Sequence, residues 1–228
     1  MTIEISTHWR AATKFLVQIP FLSQALTEPS RQTPVWGCYD VVVLGGGPAG
    51  IAAATAAANT GQSTLLIEAY GFLDGMGTAA GVTNFCGLHA NVYGDVRQVV
   101  HGIAAFKVAA DALVLASGAR LLFHTKAVGA LMNSASEIGA ILIETKSGRH
   151  AVVAKTFIDC SGDADLAAHA GVPFEKGKGP NGAGHDMMYP LTMFRVNGVD
   201  PVRAGDAYNH FGALMDEAEK RGRKSPII

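Results

Sequence analysis

The stretch Val-Val-Val-Leu-Gly-Gly-Gly-Pro-Ala-Gly, residues 41–50, constrains this chain more than any other. A continuous apolar run passes straight into three glycines, a proline and a fourth glycine. Tyr39 to Leu44 forms an uninterrupted, β-branched segment. This predicts a strand buried on both faces, the usual place of a central strand in a parallel sheet. From Pro48 to Asn59 the residues are mostly alanine, a strong helix former, with proline in the tolerated first turn and Gly61 placed as a stop. Residues 63–69, Ser-Thr-Leu-Leu-Ile-Glu-Ala, predict a second buried strand. Strand, glycine turn, helix and strand make a β-α-β unit of about 30 residues.

The spacing Gly45-x-Gly47-x-x-Gly50 assigns each glycine a task. The first permits a tight turn, the second lets backbone approach a pyrophosphate, and the third lets helix meet strand. The amides and dipole at the helix start then face an anion. Glu68 ends the second strand 18 residues beyond Gly50, close to the roughly 20 expected for the acid that binds a ribose diol. An acid there disfavours a 2′-phosphate, and so NADP; the fingerprint alone leaves FAD and NAD open. The chain also contains a control. Gly177-Lys-Gly179-Pro-Asn-Gly182 has the same spacing, but no strand precedes it and no helical pattern follows, so it is read as a loop.

Composition excludes several classes. Lys plus Arg number 18 against 19 for Asp plus Glu, which gives no basic surface for nucleic acid or acidic lipid. Cys38, Cys86 and Cys160 are far apart and spell neither a disulfide framework nor a zinc site; the histidines show no metal-ligand spacing either. A reducing cytoplasm is expected. Residues 15–26 are apolar but contain Pro20 and are too few to span a bilayer. They read as a docking extension.

Further along, 97–117 has helical spacing through Val99, Val100, Ile103, Phe106, Ala110, Leu113 and Val114, closed by Gly118. Residues 119–125 read as a strand. The runs 127–133, 138–146 and 150–160, separated by Ser134–Glu137 and Ser147–Arg149, predict an antiparallel meander and a strand ending near Cys160. Residues 171–186 read as a loop, 191–200 as a strand with an Asn-Gly turn, and 201–221 as one polar helix.

Residues 40–58 and 65–82, the latter including Gly-Phe-Leu-Asp-Gly-Met-Gly-Thr-Ala-Ala-Gly-Val, resemble the N-terminal half of glutathione-reductase-like FAD-dependent oxidoreductases. The likeness is greatest to a bacterial group with a "GFLGGMATAG"-type segment after the second strand. It continues in residues 119–131 and in 156–177, the latter similar to that group's "DATGDGDLAALAGVPFERG", and covers roughly 35–200. The implied fold is α/β: a Rossmann-like FAD-binding domain, a parallel sheet with helices plus an antiparallel meander. The resemblance implies that Gly45, Gly47, Pro48, Ala49 and Gly50 line the FAD pyrophosphate. It implies that Glu68 holds the adenosine ribose, with Ala69 beside it. Gly75, Met76, Gly77 and Thr78 would run toward the flavin ring, Ala127 would meet the adenine through its backbone, and Gly162 would end a strand beside the cofactor. Asp74 departs from the family's glycine; if backbone there needs positive φ, Asp is among the few tolerated substitutes.

Cys86 and His89 follow the flavin-facing segment and are candidates to act on substrate or to attach to the flavin, although a lone cysteine commonly serves as a small buried hydrophobe. His185 and Asp186 read as solvated. No catalytic residue is assigned. The expected organisation is an extension over 1–34, an FAD-binding domain over 35–170, and the beginning of a substrate domain over 171–228. A half-built sheet leaves edges unpaired, so a second polypeptide is expected to supply the C-terminal half of the flavoprotein fold. The expected function is the FAD-binding subunit of an oxidoreductase that takes a hydride from a small molecule and passes electrons to an acceptor. The alternative is a non-catalytic subunit holding FAD or NAD for a partner that carries the active site.

Overall fold

The computed structural model describes residues 29–82, 84–85, 99–100, 102–175, 177, 193 and 197–222. The described residues from Pro34 onward belong to one unit; residues 29–33 have no regular secondary structure. The apolar run becomes β1 (Val35–Leu44), the alanine stretch α1 (Pro48–Asn59), and the second run β2 (Thr64–Ile67). Gly61 sits at φ +82° just beyond α1, the left-handed geometry that favours glycine at a helix end. After β2 come β3 (Asn84–Phe85) and β4 (Val99–Val100), a two-residue antiparallel ladder, and then α2 (Ile103–Ala116).

β5 (Arg120–Leu122), β6 (Lys126–Ser134), β7 (Glu137–Thr145) and β8 (Gly148–Asp159) follow, then the short α3 (Asp165–His169), α4 (Pro201–Asn209) and α5 (Phe211–Lys220). The main sheet has the order β5-β2-β1-β8-β7-β6. β5, β2, β1 and β8 run parallel, while β8, β7 and β6 form the antiparallel meander. β8 therefore serves twice. Residues 148–153 pair with β7 and residues 151–159 with β1.

Alternation along β1 builds two cores. Val41 and Val43 face Ile51 and Ala54 of α1 and Ala110 and Val114 of α2. Val42 and Leu44 face the other way, with Ile67, Ile141, Ile143, Val152 and Leu166. Leu66 is fully buried in the first core, and truncating such a residue to alanine removes about 2–5 kcal/mol. Away from the glycine turn, Asp40 pins the register of three strands. Its carboxylate accepts the Ser63 N–H at 3.0 Å, the Ser63 hydroxyl at 2.6 Å and the Lys155 ammonium at 2.6 Å. The Lys155 hydrogen bond, helped by Ser63, holds the Asp40 carboxyl far below the usual carboxylate range.

Two helices differ from expectation. The one predicted over 97–117 begins at Ile103, because extended backbone at Gly102 (φ −82°, ψ 123°) separates it from β4. Within α2, Ala110 and Val114 are buried as predicted, but Leu113 is half exposed. The helix predicted over 201–221 is broken at His210, whose backbone (φ −110°, ψ 16°) leaves the helical region. The His210 N–H still reaches the Ala207 carbonyl at 3.2 Å, and the His210 carbonyl accepts from Leu214 to start α5. Asn209, His210 and Gly212 are weak helix formers, so the interruption has a local cause. Residues 1–28, Cys86, His89, 178–182, His185, Asp186 and most of 191–196 lie outside the described residues.

Candidate functional site

The C-terminal ends of the parallel strands open into a cleft of about 910 Å³, within the range of small-molecule and cofactor sites. Gly45 turns the chain at φ +95°, and its N–H donates to the Ile67 carbonyl at 2.8 Å. A Cβ on Gly45 would come 2.3 Å from the Cys160 carbonyl oxygen, so β8 packs directly on the turn. A Cβ on Gly50 would lie 1.8 Å from the Gly45 carbonyl oxygen; this glycine is what lets α1 approach the strand end. Gly47 differs, with nothing within 4 Å of its would-be Cβ. It is the N-cap of α1, followed by Pro48, and no side chain caps the helix. The amides of the first turn therefore point forward without intrahelical acceptors, where the dipole favours an anion.

Glu68 is buried at the end of β2. One carboxylate oxygen accepts the Gly46 N–H at 2.6 Å, the other the Tyr70 N–H at 2.7 Å. Glu68 thus braces the glycine turn from below while lining the cleft. Each oxygen has a lone pair left for a hydroxyl. Gly46 is required by this brace, since a Cβ there would meet Leu73 at 2.5 Å and the Glu68 carboxylate at 2.9 Å.

Asp74 has φ +80°, the left-handed backbone in which Asp is among the few tolerated substitutes for glycine. It is fully buried, and its N–H donates to the Gly46 carbonyl at 2.7 Å. Asp74 does not line the cleft. The Gly75 carbonyl accepts N–H groups from Thr78, Ala79 and Ala80, winding 75–80 into a tight knot.

Of the predicted residues, Gly45, Gly47, Pro48, Ala49, Glu68, Ala69, Gly75, Met76, Ala127 and Gly162 line the cleft. Gly50, Gly77 and Thr78 are buried behind its wall; the Thr78 hydroxyl donates to the Leu73 carbonyl at 2.5 Å. Sequence reasoning missed Tyr70, Thr125, Lys126, Cys160, Ser161, Asp163 and Asp165 as lining residues. The strand ends containing several of them were visible, but which ends converge depends on long-range strand order.

On the β8 side, Asp159 accepts the Ser161 N–H at 3.0 Å, the Ser161 hydroxyl at 2.7 Å and the Ala167 N–H at 3.0 Å. Burial pushes the Asp159 carboxyl up, but these bonds together outweigh it and hold the group below its ordinary value. The Cys160 thiol is pushed up by burial and then by the Asp159 charge, so it stays protonated and poorly nucleophilic.

The cleft suits the dinucleotide that the resemblance implies. The uncapped helix start offers donors to a pyrophosphate, the open space at Gly47 admits it, and Glu68 offers acceptors to hydroxyls. Among the described residues no group of three or more His, Cys, Asp or Glu is placed to hold a metal, and no helix is long and apolar enough to cross a membrane.

Comparison with known proteins gives a family. A model described as FAD dependent oxidoreductase matches residues 40–226. The search of curated proteins found no match. Among solved structures, a geranylgeranyl bacteriochlorophyll reductase-like protein from Thermoplasma acidophilum is 21% identical with a TM-score of 0.47, covering 62% of this chain and 44% of that one. THI4 from Thermovibrio ammonificans is 14% identical with a TM-score of 0.47, covering 58% of this chain and 61% of that one. The matched region thus spans less than two thirds of either neighbour.

Proposed function

The chain belongs to the FAD-dependent oxidoreductase family, with FAD as its cofactor, and from this we propose that it holds FAD for an enzyme that removes a hydride from a small-molecule substrate and passes the electrons to an acceptor. When bound, FAD supplies the hydride-accepting chemistry, and the protein's share is binding and orientation. The observation that carries the reading is the Gly45–Gly50 turn, whose uncapped helix start opens on the cleft beside Glu68. The first-turn amides hold the pyrophosphate, Glu68 holds the adenosine ribose, and the knot at Gly75–Ala80 with Met76 supports the path toward the flavin. The test is direct: the purified protein carries a yellow chromophore that a candidate substrate bleaches under anaerobic conditions. Colourless protein carrying NAD sinks the redox reading.

We also propose that a second polypeptide completes the fold. In support, residues 154–159 of β8 pair with β1 on one side and with no strand on the other among the described residues. Phe157 and Ile158, beside that open edge, are only half buried. Unpaired edges invite strand addition. A chain that purifies alone as a stable, monodisperse, flavin-loaded monomer refutes this.

A further inference from the structure

Tyr70 is 53% exposed, yet its position is fixed from several directions. Its N–H donates to the Glu68 carboxylate at 2.7 Å, and its carbonyl accepts the His124 N–H at 3.1 Å. Its ring stacks on Phe72, with centroids 5.9 Å apart and planes within 10°. Phe72 in turn carries the Lys107 ammonium 3.2 Å from its centroid. Gly71, between the two aromatics, lies so close to His124 that a Cβ would come 2.6 Å from the imidazole. Leaving a large aromatic half in water forfeits burial free energy, and holding it still sacrifices side-chain freedom. Neither is needed by the core, because Tyr70 contributes to neither buried cluster. What the arrangement provides is a preorganised, half-exposed aromatic ring on a residue that lines the cleft, two residues from Glu68.

We infer that Tyr70 is a stacking platform for the adenine ring of FAD, held in place by the Phe72–Lys107 contact. This rests on the proposal that Glu68 takes the adenosine ribose: the ring attached to that ribose is then the one within reach of Tyr70. Bases stack on aromatic side chains through their π-faces, and Tyr70 is a positioning residue with no part in hydride transfer.

The test uses the full chain, in whatever complex it purifies, stripped of flavin and titrated with FAD, ADP and FMN. Tyr70→Ala should weaken FAD and ADP about tenfold, the order expected for losing one base–aromatic stack. FMN, which lacks the adenosine, should bind unchanged. Tyr70→Phe should restore wild-type affinity and keep the flavin-free melting temperature of wild type, while Tyr70→Ala, which loses the Phe72 stack, should melt at most about 5 °C lower. Equal losses for FAD and FMN, or no loss for either adenine-bearing probe, overturn the inference while leaving the cofactor reading intact. Wild-type protein that takes up neither FAD nor ADP overturns the cofactor reading and this inference with it.

Discussion

Two strand-to-helix turns lie side by side at the mouth of the cleft. β1 leads through Gly45 into α1, and β8 leads through Gly162 into α3. Each has a glycine with φ near +90°, +95° at Gly45 and +89° at Gly162. They differ in where their amides go. At the β8 turn, the N–H groups of Ser161 and Ala167 donate to Asp159, and that of Asp165 donates to the Ser161 hydroxyl at 2.9 Å. At the β1 turn, Glu68 takes the Gly46 amide, but no side chain caps the start of α1. A left-handed glycine thus opens both turns, but the N-cap residues differ, extended at Gly47 and left-handed at Ala164, and one turn satisfies its own donors while the other leaves them free of side-chain caps. A binding site is here a matter of which donors the protein leaves unspent.

Substitutions that separate packing from ligand binding test this contrast, and the largest effect belongs to Gly50. Gly50→Ala drives a methyl into the Gly45 carbonyl, and overpacking of this kind removes about 3 kcal/mol. At roughly 2–4 °C per kcal/mol for a protein of this size, the melting temperature should fall by about 10 °C, with loss of flavin. Gly47→Ala, where a methyl meets open space, should leave the flavin-free melting temperature within about 2 °C and weaken FAD about tenfold, equivalent to ~1.4 kcal/mol. If both variants melt alike, the division of labour between the two glycines is wrong.

Glu68→Gln comes next. One amide oxygen cannot accept both N–H groups now held by two carboxylate oxygens, so a buried donor loses its partner, a change of about 1–3 kcal/mol. Calorimetry should show that loss in flavin-free protein, before any ligand is added. Equal stability would mean that Glu68 does not brace the turn.

Asp159→Asn should lower stability by about 1–2 kcal/mol at neutral pH, less than for a buried carboxylate because solvent reaches the group. Its carboxyl titrates below the ordinary 3.8 in the folded protein. Its contribution is therefore present above that value and lost as pH falls through the folded one. Wild type and variant should converge in strong acid; a gap that persists there contradicts the assignment. Gly162→Ala should have the smallest effect, about 1 kcal/mol, since its added Cβ meets nothing within 4 Å and only backbone strain is left. A fall as large as that of Gly50→Ala would show hidden packing at the β8 turn.

The unit from β1 to β2 was legible because its signals are local: an apolar run, an alanine helix and glycines at fixed offsets. The meander was legible through its alternating runs and short turns. The ladder at Val99–Val100 was absorbed into a helix because its apolar spacing continues into Ile103 and Phe106, and only the backbone at Gly102 separates them. In the site, glycine spacing identified the helix start and family resemblance supplied Ala127 and Gly162. Neither could disclose that Asp159 uses up the donors of its own turn, nor that Lys107 reaches Phe72. Those facts depend on rotamers and on strands brought together across long separations. At Asp74 the sequence showed the departure from the family's glycine, and the backbone at φ +80° supplied the condition under which Asp is tolerated there.

The double pairing of β8 also bears on the order of assembly. The meander closes over short turns, whereas joining β8 to β1 links residues such as Lys155 and Asp40, 115 positions apart. Non-local pairing of this kind is slow because loop closure precedes the contacts that reward it. The Gly45 turn rests on the Cys160 carbonyl, so the glycine turn at the cleft is complete only once that closure has occurred. Recovery of flavin binding after dilution from denaturant should therefore lag behind the return of secondary structure.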